Sequence, residues 1–280
     1  MKIGEKRKRD MTMERTGREK TRERHFDREE RGEREDCIAG RNAVTEALKA
    51  GRALECVLIA CGERQGSIGS IVARCREGGI PVKETDPRKL DAMARDHQGV
   101  IAIAACKAYA TIDDLFANAE KRGEPPFFIV CDELEDPHNL GAILRTAEAA
   151  GAHGVIVPRR RSVGLTATVG KVSAGAVEYV PVARVTNLAD TLRELKARGV
   201  WIYGLDMDGE SWCGTDLTGA MALVVGSEGR GIGRLVREEC DHILSLPMAG
   251  KINSLNASVA CGIVLYEVAR QRQSITARNG

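Results

Sequence analysis

Two periodicities alternate along this chain. Short apolar runs of strand length are separated by segments whose apolar positions recur at helical spacing. From Ile38 onward the pattern predicts a helix over 42–50, a strand over 55–60, a helix over 67–77, a strand over 80–83, a short helix over 87–95 and a strand over 99–105. Gly51 and Gly78-Gly79 stand where helix-ending glycines commonly stand. A second, longer alternation starts at Phe127, with strands over 127–131, 155–157, 200–204, 221–225 and 242–246 and helices over 140–150, 188–197 and 255–272. Between the two, 110–120 reads as a helix broken by Gly123-Glu124-Pro125-Pro126. Short apolar strands interleaved with helices imply a mostly parallel sheet covered on both faces. The expected fold class is therefore α/β, with a small unit over 37–107, a linker over 108–126 and a larger unit over 127–280. No internal repeat relates the two units.

Residues 1–36 break the pattern. They carry 13 Lys or Arg and 11 Asp or Glu with almost no apolar residues, too little apolar surface to offset the entropy of ordering. The expectation is a disordered mixed-charge tail. A long exposed charged helix is the alternative, since Arg and Glu are good helix formers. The tail is too acidic for a targeting peptide, and no apolar stretch approaches membrane-spanning length. The formal net charge of +2 argues neither for nor against a nucleic-acid partner. Nine scattered cysteines contain no C-x-x-C pair, and most sit within apolar runs. That usage suits reduced, buried thiols in a cytoplasmic protein rather than a disulfide framework or a zinc site. The five histidines show no ligand spacing with them, so no metal site is expected.

Three stretches of the larger unit are chemically unusual for plain scaffold. The first, Asp136-Pro137-His138-Asn139-Leu140-Gly141, follows a strand and opens a helix that continues to Arg145-Thr146. Asp136 can cap that helix, with Pro137 at its first position. Arg145 lies off the apolar stripe of Leu140, Ile143, Leu144 and Ala147, and its plainer reading is a solvated helix residue. The second stretch, VVGSEGRGIG at 224–233, places four glycines and one carboxylate after a strand. It lacks the Lys-Ser or Lys-Thr of a phosphate-binding P-loop and the spacing of a dinucleotide fingerprint; a plain tight turn is the alternative. The third runs from Leu246-Pro247-Met248 through Gly250 to Ser254-Leu255-Asn256-Ala257-Ser258 at the start of the last helix. Ordinary capping by Asn253 or Ser254 would explain it, but a helix N-terminus with free N–H groups also suits an anion. All three lie at carboxyl ends of expected strands, the edge where open α/β sheets bind ligands.

Together the three stretches resemble the signature motifs of the SpoU (TrmH, SPOUT) family of RNA ribose 2′-O-methyltransferases. Asn139, Gly141, Arg145 and Thr146 match the first motif, and Gly226, Glu228, Gly229 and Gly231 the second. Pro247, Met248, Gly250, Ser254, Leu255, Asn256, Ser258 and Ala260 match the third. Upstream, 40–48 and 97–102 are similar to the substrate-binding domain of the subgroup that modifies a guanosine of large-subunit ribosomal RNA; the charged tail has no counterpart in that pattern. The resemblance implies an α/β-knot catalytic domain over 127–280, closed by a deep trefoil knot, behind an RNA-binding domain over 37–107. It implies S-adenosyl-L-methionine as cofactor, held by Gly226, Leu246 and Leu255 largely through backbone. It places Arg145, Asn139, Glu228, Ser254 and Asn256 at the catalytic centre. It further implies a homodimer packed through the knotted domain, for which Leu255, Val259, Ile263 and Tyr266 on one stripe of the last helix are suited; packing within the chain is the other use of that stripe. The substrate expected is ribosomal RNA, with transfer RNA as the alternative. A catalytically silent RNA-binding or ribosome-assembly protein is the competing class, against which the intact polar set speaks. A nicotinamide-dependent oxidoreductase lacks its fingerprint.

Overall fold

Alternation of core-facing residues builds the first sheet. In the computed structural model, which describes residues 36–62, 66–251 and 254–273, the smaller unit comprises β1 (Cys37–Ala39), α1 (Arg41–Lys49), β2 (Leu54–Ala60), α2 (Ser67–Glu77), β3 (Val82–Thr85), α3 (Pro87–Met93) and β4 (Val100–Ala104). The charged tail expected to be disordered lies, apart from Asp36, outside the described residues. Strand order is β1-β4-β2-β3, antiparallel except for β2 with β3. Val57 and Ile59 of β2 pack with Val44 of α1 and Ile68, Ile71 and Cys75 of α2, while Leu58 and Ala60 meet Leu90 of α3 on the other face. This is the period of two expected of a strand covered on both sides. Strand β1 was not legible: three residues show no period, and pairing of Cys37 with Ile103 makes it a strand.

The segment expected as a linker holds α4 (Ile112–Arg122), opened by a reciprocal capping box between Thr111 and Asp114. It is bound into the larger unit. Leu115 packs with Phe128, Val130 and Ile156, Phe116 meets Phe128 edge-on at 5.1 Å, and a Cβ on Gly154 would lie 2.3 Å from Leu115.

The larger unit is a six-stranded sheet ordered β10-β8-β9-β5-β6-β7, parallel at every pairing. Its elements are β5 (Phe127–Cys131), α5 (Pro137–Ala149), β6 (Gly154–Pro158), α6 (Ala167–Val172), β7 (Val182–Val185), α7 (Leu188–Ala197), β8 (Trp201–Ser211), β9 (Met221–Val225), α8 (Arg234–Glu238), β10 (His242–Ser245) and α9 (Ala257–Arg272). Phe127, Ile129 and Cys131 of β5 face one core and Phe128 and Val130 the other, which is why the central strands read as unbroken apolar runs. The chain runs outward from β5 through β6 to β7, then crosses to build β8, β9 and β10 on the far side. The reversal leaves crevices at the carboxyl edge. Strand β8 is longer than expected: Ile243 pairs with Gly204 but Leu244 with Glu210, so 205–209 have no ladder partner in β10 and 206–209 form an excursion beyond the pairing of Leu205 with Val225. After β10 the chain returns across the unit, and α9 packs on α5, with Gly262 against Thr146. Contrary to the expectation of mostly buried thiols, only Cys75, Cys131 and Cys261 of the nine cysteines are buried, while Cys61, Cys106 and Cys213 are exposed. No described helix is long and apolar enough to cross a membrane.

The two units are locked by a buried polar cluster. Arg184 of β7 lies 3.2 Å from Glu55 of β2 and donates to the Leu54 and Glu55 carbonyls. Tyr109 donates to Glu55 at 2.6 Å and accepts from the Leu165 N–H. Burial, reinforced by the Glu55 carboxylate, pushes the Tyr109 phenol well above its usual range, so it stays a donor.

Candidate active site

Helix α5 begins as the sequence predicts. Asp136 accepts from the His138 N–H at 2.8 Å and Pro137 occupies the first turn. That start fixes Asn139, which is buried to 4% exposure. The apolar strand β9 delivers the second motif, and the loop after it folds on itself: Ser227 and Gly231 exchange backbone hydrogen bonds of 3.1 and 3.0 Å. Gly229 and Gly231 adopt left-handed φ values of 84° and 66°, a conformation glycine tolerates without penalty. Gly226 does not; its φ is outside that region. A Cβ there would lie 2.1 Å from the Gly231 carbonyl carbon and 2.4 Å from the Ile232 nitrogen. The loop's own backbone, rather than bound ligand volume, thus requires glycine at 226.

The third motif closes the arrangement. Asn256, rather than the expected Ser254 or Asn253 (the latter outside the described residues), caps α9, which starts at Ala257; its Oδ1 accepts from the Ser258 and Val259 N–H groups at 3.0 and 3.2 Å. Its Nδ2 donates to Asn139 Oδ1 at 2.8 Å and to Glu228 Oε1 at 2.5 Å. Asn139 in turn donates to Glu228 Oε1 at 3.1 Å. One residue from each motif therefore meets at a single polar junction. Glu228 receives two amide donors on one oxygen, and its other oxygen accepts from no described residue.

Not every expected residue joins. Arg145 lies on the exposed side of α5 and makes no hydrogen bond or ion pair with a described residue. Ser254 is exposed and likewise without a described partner. Within one chain, neither touches the junction. Leu255 is 40% exposed and Met248 38% exposed, whereas Leu246 is half-buried against the core.

Four further side chains brace the loop and were missed in the sequence. Asp132, just past β5, accepts from the Gly233 N–H at 2.7 Å. Burial pushes its carboxyl above the usual range, and the Gly233 hydrogen bond partly offsets that. Arg237 of α8 donates to Asp206 at 2.7 Å and to Asp208 at 2.9 Å, tying the β8 excursion beside Gly231. The only signal in the sequence was two aspartates flanking Met207 at a strand end, which reads as an ordinary turn.

S-adenosylmethionine suits these residues on what they leave open. A Cβ at Gly229 or Gly250 would meet nothing within 4 Å, so both loops border open space. Leu255 and Met248 are exposed apolar side chains of the third motif, and Glu228 keeps one carboxylate oxygen without a described donor, a set compatible with an apolar, cationic ligand, whereas Asp206 and Asp132 are already engaged by Arg237 and the Gly233 N–H. Among the described residues no group of three or more His, Cys, Asp or Glu is placed to hold a metal ion.

Comparison with known proteins identifies the family. Residues 126–266 match the model of the SpoU rRNA methylase family, and residues 37–110 match RNA 2′-O ribose methyltransferase substrate binding. The chain is 50% identical over 242 residues to YacO of Bacillus subtilis, named for the TrmH family of tRNA/rRNA methyltransferases, covering 86% of this chain and 97% of that protein. The SpoU methyltransferase AviRb from Streptomyces viridochromogenes, solved in complex with AdoMet, superposes with a TM-score of 0.55 at 26% identity, over 85% of this chain and 91% of AviRb. An AdoMet-bound rRNA methyltransferase from Sinorhizobium meliloti gives 0.54 at 25% identity, over 86% and 88%.

Proposed function

The chain belongs to the SpoU RNA methyltransferase family and is S-adenosylmethionine-dependent, and from that premise we propose that it methylates a ribose 2′-hydroxyl, of a guanosine, in large-subunit ribosomal RNA. The observation that carries this reading is the Asn139–Glu228–Asn256 junction, where three motifs distant in sequence converge at the carboxyl edge of the sheet. The choice of ribosomal RNA rests on the unit over 37–107, the proposed substrate-binding domain, while 127–280 forms the catalytic domain with 108–126 joining them.

The cofactor, when bound, supplies an electrophilic methyl group on a sulfonium whose departure as a thioether needs no acid. The protein's own task is mainly positioning. The backbone of Gly226, Leu246 and Leu255 holds the cofactor. The junction fixes the relative placement of the three loops, so Asn139, Glu228 and Asn256 orient rather than react, with Ser254 at their rim. Arg145 does the charged work. A guanidinium is a permanent cation and does not serve as the base, so Arg145 either binds the phosphate next to the target ribose bidentately or stabilises the developing oxyanion, the hydroxyl proton passing to solvent water.

Arg145 reaches this centre from a second copy of the chain. Along α9, Cys261, Val264, Leu265 and Val268 are buried against the core, while Val259 and Tyr266 are 51% and 56% exposed. Helix α9 is therefore apolar on both sides, and Thr146, next to Arg145, packs at its Gly262. A homodimer covering this stripe would bring Arg145 of each protomer toward its partner's loops. The setting is cytoplasmic, in keeping with nine free cysteines.

Incubating the protein with methyl-labelled S-adenosylmethionine and unmethylated ribosomal or transfer RNA tests the reading. Nuclease digestion and mass spectrometry should find a 2′-O-methylguanosine in large-subunit RNA. Label in transfer RNA alone would move the substrate; no label in either would favour a silent RNA-binding protein.

A further inference from the structure

A cavity of about 1370 Å³ lies between the two units, away from the motif junction. Its floor is apolar, with Ile68, Val72 and Ile80. Its walls are cationic: Arg76 and Lys83 from the smaller unit face Arg159, Arg160 and Arg161 after β6. The carboxylates on the same walls are Glu55, Glu84 and Glu135, and Glu55 is already neutralised by Arg184 at 3.2 Å. Arg159 spans the gap, donating to the Gly79 carbonyl at 3.0 Å, while its Nε is buried without a partner. The side chains of Arg76, Lys83 and Arg160 are exposed and make no hydrogen bond or ion pair with a described residue. Like charges gathered in a cleft with low-dielectric walls focus a positive potential.

The cationic wall continues to the active site. Arg161 pairs with Glu133 at 3.1 Å, and Glu133 lies 4.0 Å from Arg230 of the glycine loop, whose side chain is 84% exposed. Among the described residues lining the cleft there is no aromatic side chain on which a base could stack. Such a surface grips a phosphate backbone and reads no sequence. Single-stranded segments are the form in which RNA offers its backbone to a cleft of this kind.

We propose that this interdomain cleft is the channel for a single-stranded stretch of the substrate RNA. Arg76, Lys83 and Arg160 contact its phosphates, and Arg159 sets the spacing of the two walls. The inference rests on the RNA methyltransferase reading and adds to it a path from the substrate-binding unit to the target ribose. Base selection must then occur elsewhere, at the active site or on the outer face of the smaller unit.

The test is a variant carrying Arg76→Ala, Lys83→Ala and Arg160→Ala, beside a control with Lys121→Ala, Arg122→Ala and Arg193→Ala, which lie outside the substrate-binding unit. The control removes the same charge at exposed positions outside the cleft. Affinity for in vitro transcribed large-subunit ribosomal RNA is measured from 0.05 to 1 M salt, and S-adenosylmethionine affinity by calorimetry. Each single-strand phosphate contact contributes about 0.7 to the slope of log affinity against log salt, so the cleft variant should lose about 2. If the electrostatic difference vanishes near 1 M, that is about 100-fold weaker binding at 0.1 M. Cofactor affinity should be unchanged in both variants, and the control should follow the unmodified chain. A cleft variant with an unchanged slope, or a control that loses as much, overturns the channel while leaving the methyltransferase reading intact. An unmodified chain that neither binds nor methylates RNA overturns that reading and the channel with it.

Discussion

Asn256→Asp separates the two uses of one amide. Its Oδ1 caps α9 through Ser258 and Val259, and its Nδ2 holds Asn139 and Glu228. Aspartate caps a helix as well as asparagine does, so the cap, worth about 0.5–2 kcal/mol, survives. The donor side does not. The bond to the Glu228 carboxylate is of the charged kind, worth about 1.5–3 kcal/mol, and that to buried Asn139 about 1 kcal/mol. In place of the donor, a second carboxylate arrives where Nδ2 stood, 2.5 Å from Glu228. Like charges at 4 Å repel by about 1 kcal/mol in water and about 4 at an effective dielectric of 20. Both side chains are exposed, so the lower end applies, and the junction is weakened by about 3–5 kcal/mol. If ~3 kcal/mol of that is expressed in the rate, methyl transfer falls about 100-fold. Uptake of one proton shared by the two carboxylates of the variant restores an O–H···O bridge, so the penalty shrinks as pH falls toward the carboxyl range. Asn256→Ala loses cap and junction together and holds no second carboxylate. The assay is single-turnover methyl transfer from about pH 8.5 to 5.5, each variant expressed as a ratio to the unmodified chain. The Asp ratio should rise toward acid and the Ala ratio stay flat. Equal, pH-independent ratios would show that the junction does not hold the loops.

Gly226→Val forces a branched side chain onto backbone within 2.4 Å and opens the Ser227–Gly231 turn; S-adenosylmethionine affinity should fall at least 10-fold with RNA affinity nearly kept, and equal loss of both would point to general misfolding. Arg145→Ala should shift unfolding by no more than about 0.5 kcal/mol, as for a free surface side chain, yet abolish methyl transfer, and Arg145→Lys should fail as well if bidentate geometry matters; a near-normal rate in the alanine variant removes Arg145 from the mechanism. Arg184→Ala leaves buried Glu55 unpaired and should cost about 3–5 kcal/mol, read as a lower urea midpoint; an unchanged midpoint would mean the units are held otherwise. His153 is fully buried, and desolvation lowers its pKa below the ordinary 6.5. The unfolded chain therefore takes up a proton first as pH drops, so this contribution is complete above about pH 6.5 and is lost below it. The stability difference between the unmodified chain and His153→Gln should narrow from pH 7.5 to 5, and a constant difference would refute the assignment.

How much of this was legible in the sequence depended on range. Strands 127–131 and 221–225 and helix 188–197 have the expected bounds, because a strand buried on both faces is an unbroken apolar run and Asn187 caps its helix from one residue away. The motif residues were legible as types in order along the chain. Their meeting was not: Asn139 and Glu228 are 89 positions apart and Asn139 and Asn256 are 117 apart, and no local period carries that contact. Strands β1 and β7 are too short to show a period and exist through their neighbours; β7 even carries Arg184, whose charge is balanced by Glu55 from the other unit. The β8 excursion comes from a register jump against β10. The last helix makes the limit plainest. Between Val259 and Val268 its apolar residues fall on more than one side, so periodicity could not say which stripe faces the core. Packing against α5 settled that in favour of Cys261, Val264, Leu265 and Val268, leaving Val259 and Tyr266 outside. Backbone preference and hydrophobic period are properties of neighbouring residues and can be read from them; which surfaces touch depends on how the whole sheet closes, and only the tertiary structure contains that.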